Sequence, residues 1–184
     1  MKKILLIILL VVVSGLVVVK INFKKQQDLP AQGSKTKMKI TSSAFGHNET
    51  IPSKYTCDGE NVNPPLEIDD APALVESLVL VMDDPDAPAG AWVHWTLWNI
   101  NPATKVIAEN SIPEGAVQGV TSFGQPGYGG PCPPSGTHRY FFKLYALDTK
   151  LNLSSDADKA KLEAVMAGHI IEQAELLGLY SRQK

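Results

Sequence analysis

Short apolar segments separated by Pro, Gly, Asn and Asp dominate the chain from residue 38 onward. Segments of this length, rich in Val, Leu, Trp, Tyr and Phe, are typical of β-strands. The strand candidates are MKITSSAF at 38–45, SLVLVMD at 77–83, WVHWTLWNI at 92–100 and HRYFFKLYAL at 138–147. This pattern predicts a mainly β domain, most simply an antiparallel β-sandwich.

The last strand candidate indicates a sheet that is covered on both faces. Successive side chains of a strand point to opposite faces. One face would carry His138, Tyr140, Phe142, Leu144 and Ala146, and the other Arg139, Phe141, Lys143 and Tyr145. Because both sets contain large apolar side chains, we expect packing on both sides.

A helical period appears only in the tail, at residues 154–178. Its apolar positions fall on one helical stripe, formed by Leu162, Val165, Met166, His169, Ile170 and Leu177. Ser154, Ser155 or Asp156 could cap the start of this helix, and Gly178 could end it. The sandwich is therefore predicted to carry a C-terminal helix.

The N-terminal segment, residues 1–23, is predicted to contact a membrane. Two lysines precede a nearly unbroken apolar run at residues 4–19. This length is long for a signal-peptide core and short for a bilayer span, so an uncleaved signal anchor with an extracytoplasmic domain is favoured. A cleaved signal peptide, giving a secreted or periplasmic protein, is the close alternative, and a buried core helix is the third.

Residues 24–37 are polar and contain Pro and Gly, which is typical of a flexible tether. The folded domain is therefore predicted to occupy residues 38–184. Seventeen basic and nineteen acidic residues give a formal net charge of −2, which disfavours nucleic acid as a partner. The chain has no phosphate-binding glycine loop, G-x-S-x-G, C-x-x-C or H-E-x-x-H motif, so we expect no cofactor and no metal.

The stretch DDPDAPAGAWVHW, at residues 83–95, concentrates polar and aromatic groups after an apolar strand. Its prolines would hold a turn open and present Asp84 and Asp86 at the strand end. A period of two would then place Trp92, His94, Thr96 and Trp98 on one face. Asp84 or Asp86 could fix the tautomer of His94 or raise its pKa. The alternative is a histidine that is merely satisfied inside the core.

A second stretch, GYGGPCPPSGTHRY at residues 127–140, supplies the other half of the candidate site. Its glycines permit close approach of the backbone, and it leads into His138 and Tyr140 at the start of a strand. Two histidines, a tyrosine hydroxyl and backbone N–H groups would form a small anion pocket if the two strand ends meet.

These two stretches, together with CDGENVNPPLEI at residues 57–68, resemble the phosphatidylethanolamine-binding protein family, and more closely its bacterial Raf kinase inhibitor-like branch. The resemblance covers roughly residues 38–182. It implies a β-sandwich with a preformed pocket for phosphate or phosphorylated head groups. The implied ligand-binding residues are Asp84, Asp86, Pro88, Trp92, His94, Gly130, Pro133, His138 and Tyr140. Arg139 is out of phase with its neighbours, so a structural ion pair is favoured over ligand contact.

Cys57 and Cys132 are the only cysteines. In an exported domain they could form a disulfide, and two buried thiols are the equal alternative. The function favoured by the sequence is a non-catalytic binding protein for a small anionic or phosphorylated ligand, with an unknown protein partner. A kinase or protease inhibitor that acts by surface contact is the alternative. An ester or phosphoester hydrolase, with Asp84 and His94 as general base and Ser135 as nucleophile, is a weaker one.

Overall fold

The computed structural model describes residues 37–182, which form nine strands, one short 3-10 helix and one α-helix. The strands are β1 Lys39–Thr41, β2 Glu49–Thr50, β3 Leu66–Asp69, β4 Ser77–Asp84, β5 Trp92–Ile100, β6 Val106–Ile107, β7 Val117–Gln118, β8 His138–Leu147 and β9 Ile170–Tyr180. The 3-10 helix is Ser53–Tyr55, and α1 is Lys159–Met166. The predicted mainly β composition is confirmed.

The strands form two sheets. The smaller sheet has the order β1-β3-β6, and the larger has the order β2-β9-β8-β4-β5-β7. All strand pairs are antiparallel, as predicted, except the two-residue pairing of β2 with β9, which is parallel. Strand β4 lies between β5 and β8 and is buried at all of its positions.

Hydrophobic clusters cover both faces of the larger sheet, as expected from the apolar pattern of β8. One cluster joins side chains of both sheets, among them Ile40, Ile68, Leu80, Trp95 and Phe142. The other lies on the opposite side of β4 and includes Val79, Val81, Trp98, Leu162 and Met166, the last two from α1. The face-to-face arrangement of a sandwich stays a prediction, but the shared apolar cluster is what such an arrangement requires.

The predicted long C-terminal helix is wrong in its second half. Helix α1 ends at Met166, and β9 then pairs with β8 along its length. Gly168 has a φ of 85° and breaks the helix between the two elements. The stripe of apolar positions was therefore interrupted by a turn, and pairing with a buried neighbour strand outweighed local helical preference.

The caps of this helix also differ from the prediction. Asp158 is the N-cap, and its side chain accepts a hydrogen bond from the Lys161 amide, in place of Ser154, Ser155 or Asp156. Gly178 does not end a helix. It lies inside β9, opposite Tyr140 on β8.

Strand β5 departs from strict alternation at the candidate site. Trp95 pairs with Met82, but the next pair joins Val93 to Asp83, so His94 is the extra residue of a bulge. A bulge of this kind changes the direction in which the following side chains point.

Because of the bulge, the predicted common face of Trp92, His94, Thr96 and Trp98 is wrong. Trp98 packs in the cluster beside α1. The His94 ring instead lies 5.2 Å from the ring of Tyr140, whose side chain belongs to the cluster shared by the two sheets.

The predicted membrane segment, residues 1–23, and residues 24–36 of the tether lie outside the described residues. Within residues 37–182, no helix has the length and apolar character needed to cross a bilayer.

Replacing Gly178 by alanine is expected to destabilise the domain by about 1–3 kcal/mol, the usual effect of overpacking. A Cβ atom at this position would lie 2.5 Å from Cγ1 of the fully buried Ile51 and 2.9 Å from the Phe45 ring. Urea unfolding of Gly178→Ala measures the loss. The control Gln173→Ala, at an exposed position of the same strand, is expected to stay within about 0.5 kcal/mol of the native chain. If Gly178→Ala and Gln173→Ala were equally stable, the close packing around Gly178 would be contradicted.

Candidate functional site

Four polar side chains meet near the ends of β4, β5 and β8, and all are buried. The exposed fractions are 3% for Asp84, 3% for His94, 7% for His138 and 0% for Tyr140. Pairing of β4 with both β5 and β8 brings these positions together. We call Asp84, His94, His138 and Tyr140 the four-residue cluster. Buried polar groups require partners, so their hydrogen bonds determine what the cluster can do.

Asp84 is bound by two groups of the chain. Its Oδ2 lies 2.7 Å from Nδ1 of His138, and its Oδ1 accepts a hydrogen bond of 2.8 Å from the Asp86 amide. A carboxylate accepts hydrogen bonds, so Nδ1 of His138 carries the proton of this bond. The other ring nitrogen of His138, Nε2, makes no hydrogen bond within residues 37–182.

His94 is oriented by the main chain. Its Nδ1 lies 2.6 Å from the carbonyl oxygen of Gly129, which can only accept, so Nδ1 is the protonated nitrogen. The expectation that Asp84 or Asp86 fixes the tautomer of His94 is therefore wrong. Burial lowers the pKa of His94, although the Gly129 carbonyl opposes this effect. The predicted rise of this pKa is also wrong, because loss of hydration outweighs the nearby carboxylates.

Tyr140 contributes the phenolic hydroxyl of the cluster. Its hydroxyl is buried and makes no hydrogen bond in the part of the chain that the structure describes. Burial raises the pKa of Tyr140, and the neighbouring negative charge of Asp84 raises it further. The hydroxyl is therefore protonated at neutral pH and available as a hydrogen-bond donor.

Asp86 lies at the rim of the cluster and is bound by Arg139. Its carboxylate accepts hydrogen bonds from Nε and Nη2 of Arg139 at 2.9 and 2.7 Å, and from the Arg139 amide at 3.0 Å. These bonds lower the pKa of Asp86 to about 2. Arg139 thus forms the structural ion pair that its position in the strand favoured.

The glycine-rich loop lies against the cluster, and its amides are largely occupied. The Gly129 amide donates to the His94 carbonyl oxygen, and the Gly130 amide donates to Asn61 Oδ1 at 2.7 Å. A Cβ atom on Gly130 would lie 2.6 Å from the Tyr55 carbonyl oxygen, so only glycine fits there. Gly130 is therefore a structural part of this wall, and its amide is already bound.

Three of the remaining predicted ligand-binding residues lie in the segments that lead into or out of the strands of the cluster. Pro133 is buried in the loop, Trp92 is half-buried, and Pro88 is exposed in the turn after β4. A ligand-binding role for these three residues, and for Asp86 at the rim, stays a prediction.

Phe123 is a neighbour of the cluster that the sequence analysis missed. Its ring stands edge-on to Trp92 and to His94, with centroid distances of 5.5 Å in each case, although 45% of the residue is exposed. A Cβ atom on Gly129 would lie 2.2 Å from this ring. In the sequence, Phe123 appears only as a single aromatic residue in a turn, which gives little indication that it contacts the cluster. Asn61, which fixes Gly130, was also missed, although it lies in the CDGENVNPPL segment.

Cys57 and Cys132 form a disulfide, with their Cα atoms 5.4 Å apart. The structure thus joins the two cysteines whose state the sequence left open. A second bond, from the Cys57 amide to the Pro131 carbonyl oxygen, connects the same two loops. The disulfide lies beside a cavity of about 170 Å³. The cavity is lined by Cys57, Asn61, Thr121, Phe123, Gln125, Pro126, Gly127, Tyr128, Gly129, Gly130 and Cys132.

Comparison with known proteins identifies the family of this chain. The sequence model of the family described as "Phosphatidylethanolamine-binding protein" matches residues 41–181. The chain belongs to the phosphatidylethanolamine-binding protein family. The match includes every member of the four-residue cluster and both cysteines.

Two archaeal relatives are similar over most of their length. A protein of Methanothermobacter thermautotrophicus, named UPF0098 protein, is 49% identical over 150 residues, which are 79% of this chain and 99% of the relative. A UPF0098 protein of Pyrococcus horikoshii is 49% identical over 160 residues, covering 82% of this chain and 81% of the relative.

Two crystal structures of family members are also similar. A Chlamydia trachomatis protein, described as a phosphatidylethanolamine-binding protein homologue, is 42% identical, with a TM-score of 0.78 over 82% of this chain and 100% of its own. An Escherichia coli protein, described as a new member of the mammalian family, is 30% identical, with a TM-score of 0.76 over 80% of this chain and 100% of its own. The family fold is thereby shown for the β-rich domain.

Reducing or removing the disulfide is expected to lower the free energy of unfolding by about 4 kcal/mol, because it closes a loop with a sequence separation of 75 residues. Urea unfolding of oxidised native protein and of the double variant Cys57→Ser/Cys132→Ser measures the difference. Dithiothreitol should destabilise the native protein and leave the double variant unchanged. Identical unfolding midpoints with and without the bond would contradict this expectation.

Stability is expected to fall as the pH drops below the ordinary His pKa of ~6.5. Because burial lowers the pKa of His94 in the folded state, the unfolded chain takes up a proton that the folded chain resists. The contribution of neutral His94 to stability is fully present above the pKa that His94 has in the unfolded chain. It is lost as the pH falls through the lower pKa that His94 has in the folded protein. The variant His94→Asn keeps an N–H donor for Gly129 and should show a shallower pH dependence of the unfolding free energy. If the unfolding free energies of His94→Asn and the native protein depend on pH in the same way, His94 is not the cause of the pH dependence.

Proposed function

We propose that this chain is a non-catalytic binding protein whose four-residue cluster takes a small oxyanion, either free phosphate or the phosphate of a phosphorylated head group. Membership of the phosphatidylethanolamine-binding protein family supports a binding role. The cluster supports the anion as the ligand, because it gathers a tyrosine hydroxyl and two histidines at one end of the sheet.

The observation that carries the proposal is the unpartnered hydroxyl of Tyr140. Leaving a buried donor unsatisfied costs about 1–3 kcal/mol. Such a group is retained where something outside the folded chain satisfies it, and an oxyanion is a strong acceptor for a phenolic O–H. The Nε2 atoms of His94 and His138 also lack hydrogen bonds within the described residues, so they can contact the same ligand.

The contacts of the cluster favour binding over hydrolysis. Nδ1 of His94 is bound to a backbone carbonyl oxygen, and Asp84 pairs with the other histidine. Ser135, the candidate nucleophile, is exposed and has no hydrogen bond to either histidine among the described residues. Activation of a serine requires a base within hydrogen-bond reach, so this arrangement offers no nucleophile and base pair.

The cellular location of the domain is also part of the proposal. A disulfide between two exposed cysteines is typical of oxidising compartments, which supports an extracytoplasmic location for the domain. Two lysines followed by the apolar run at residues 4–19 support attachment to a membrane or passage across it. A protein partner that senses the occupied pocket is compatible with this location, whereas a cytoplasmic kinase is not.

Removing only the unpartnered hydroxyl tests the proposal. Tyr140→Phe is expected to unfold at the same temperature as the native protein or higher, because an unsatisfied buried group is lost. Its affinity for phosphate and phosphoethanolamine should nevertheless fall by about tenfold, since a hydrogen bond to a charged ligand is lost. Calorimetric titration measures the affinity, with ethanolamine as the unphosphorylated control ligand.

The matched control is Tyr145→Phe, which removes a hydroxyl from the opposite face of the same strand. This variant should bind like the native protein. If the native protein binds neither phosphate nor phosphoethanolamine, or if both Phe variants bind equally well, the cluster is not the anion site.

A further inference from the structure

A cavity of about 820 Å³ lies beside strand β9, away from the four-residue cluster. Residues 37–42 and 45–47 line one side of it. Lys143 and Tyr145 of β8 and residues 173–176 of β9 line the other side. No member of the four-residue cluster is in this lining, so the cavity is a separate site. We call it the edge groove.

Strand β9 has an open edge along this groove. Strand β8 pairs with one side of β9 over its length, whereas β2 pairs with the other side only near the end of β9. Leu177 directs its backbone to this other side, because its amide donates to Nδ1 of His47 and its carbonyl oxygen accepts from the Asn48 amide. The orientation repeats every second residue, so Gln173 and Glu175 direct their backbone N–H and C=O groups to the same side. No strand of the described chain pairs with them there.

Strand β1 also has an open edge, and this edge faces β9. Within the described residues β1 pairs only with β3, where Ile40 lies opposite Ile68. The Ile68 amide donates to the Lys105 carbonyl oxygen, so Ile68 and Ile40 direct their backbone groups away from each other. Met38, two residues before Ile40, has the same orientation, and its amide donates to Oε1 of Glu172 on β9 at 2.9 Å. The backbone groups of Ile40 therefore point toward β9.

Two unpaired strand edges thus border one groove. An unpaired edge presents a row of N–H and C=O groups on which an extended segment can form a further strand. Ile40, Phe45 and Leu176 supply buried apolar surface to the groove, with exposed fractions of 4%, 6% and 2%. Because side chains of a strand alternate between its two faces, a segment that fits has apolar residues at every second position.

The charges around the edge groove favour an acidic segment. Lys37 and Lys39 line the groove, are exposed, and form no ion pair among the described residues. Lys143 also lines it, but its charge is bound by Asp83. Glu175 is the one acidic residue of the lining, and it lies across from Lys143 on the neighbouring strand. The groove therefore offers two positive charges without a partner.

We propose that the edge groove binds an extended acidic segment of a partner protein. The segment adds to β9 as a strand, with its backbone bonded to Gln173 and Glu175. Its apolar side chains lie on the buried surface of the groove, and its carboxylates lie beside Lys37 and Lys39. This interaction does not depend on the anion site, because the two sites share no lining residue of the four-residue cluster.

The test is calorimetric titration of the full-length protein with peptides of about six residues, the usual length of a strand. A peptide of alternating valine and glutamate should bind saturably. The same peptide with lysine in place of glutamate should bind at least about tenfold more weakly, because attraction to two lysines becomes repulsion. The acidic peptide with every backbone amide N-methylated should also lose at least about tenfold, because it cannot donate hydrogen bonds to the strand edge.

Charge reversal locates the contact on the protein. The double variant Lys37→Glu/Lys39→Glu should bind the acidic peptide about tenfold more weakly than the native protein. The matched control is Lys105→Glu/Lys150→Glu, which changes the net charge equally at two exposed lysines outside the groove. This control should keep the native affinity. Equal losses in the two double variants would overturn the proposed site.

Amide hydrogen exchange checks the strand pairing directly. The amides of Gln173 and Glu175 should exchange at least about tenfold more slowly when the acidic peptide is bound, because they then donate to its carbonyl oxygens. The lysine peptide at the same concentration should leave their exchange unchanged. Unchanged exchange with the acidic peptide bound would overturn addition of a strand to β9.

The remaining outcomes are equally decisive. If the acidic peptide does not bind, or if the lysine peptide binds equally well, the acidic partner is overturned. If the N-methylated peptide binds as well as its parent, binding does not use the strand edge. If the protein alone sediments as a dimer in which the Gln173 and Glu175 amides are already protected, a second copy occupies the groove, and the partner segment is overturned.

Discussion

The structure depends on two buried acidic side chains at the end of a buried strand. Strand β4 is inaccessible at every position and ends in Asp83 and Asp84, which are 2% and 3% exposed. Charges in such a place are tolerated only when they are paired. Asp83 is bound by Lys143 of β8 and Lys159 of α1, so it joins the helix to the sheet. Asp84 is bound by His138 and by the turn that follows it, so it organises the opposite face, where the candidate site lies.

Much of this architecture could be predicted from apolar periodicity, and the exceptions have physical causes. Strands β4, β5 and β8 coincide with the predicted segments because each is long and dominated by residues that favour sheets. Strand β9 was mistaken for helix because IIEQAELLGLY contains good helix formers at helical spacing. Its strand character comes from β8, to which it pairs over its length, and such long-range pairing leaves no mark in a local pattern.

The candidate site shows the same division between local and non-local information. The sequence placed Asp84, His94, His138 and Tyr140 at strand ends, and the structure brings them together. Which groups bond to which was not predictable, because one inserted residue at the bulge turned His94 toward Tyr140 and toward the glycine-rich loop. Phe123 was missed for a related reason, since a turn residue has no periodicity that would indicate its neighbours.

The state of the Tyr140 hydroxyl follows from the rigidity of the loop beside it. An unsatisfied buried donor persists only where the surrounding chain cannot move to meet it. The loop is tied to its neighbours by the Cys57–Cys132 disulfide and by the bond from the Gly130 amide to Asn61. It also packs so closely that a Cβ atom on Gly129 or Gly130 would clash. A flexible loop would supply a carbonyl oxygen to the hydroxyl. A fixed loop leaves the hydroxyl without a partner among the described residues, which is the preorganisation that the proposed small ligand would need.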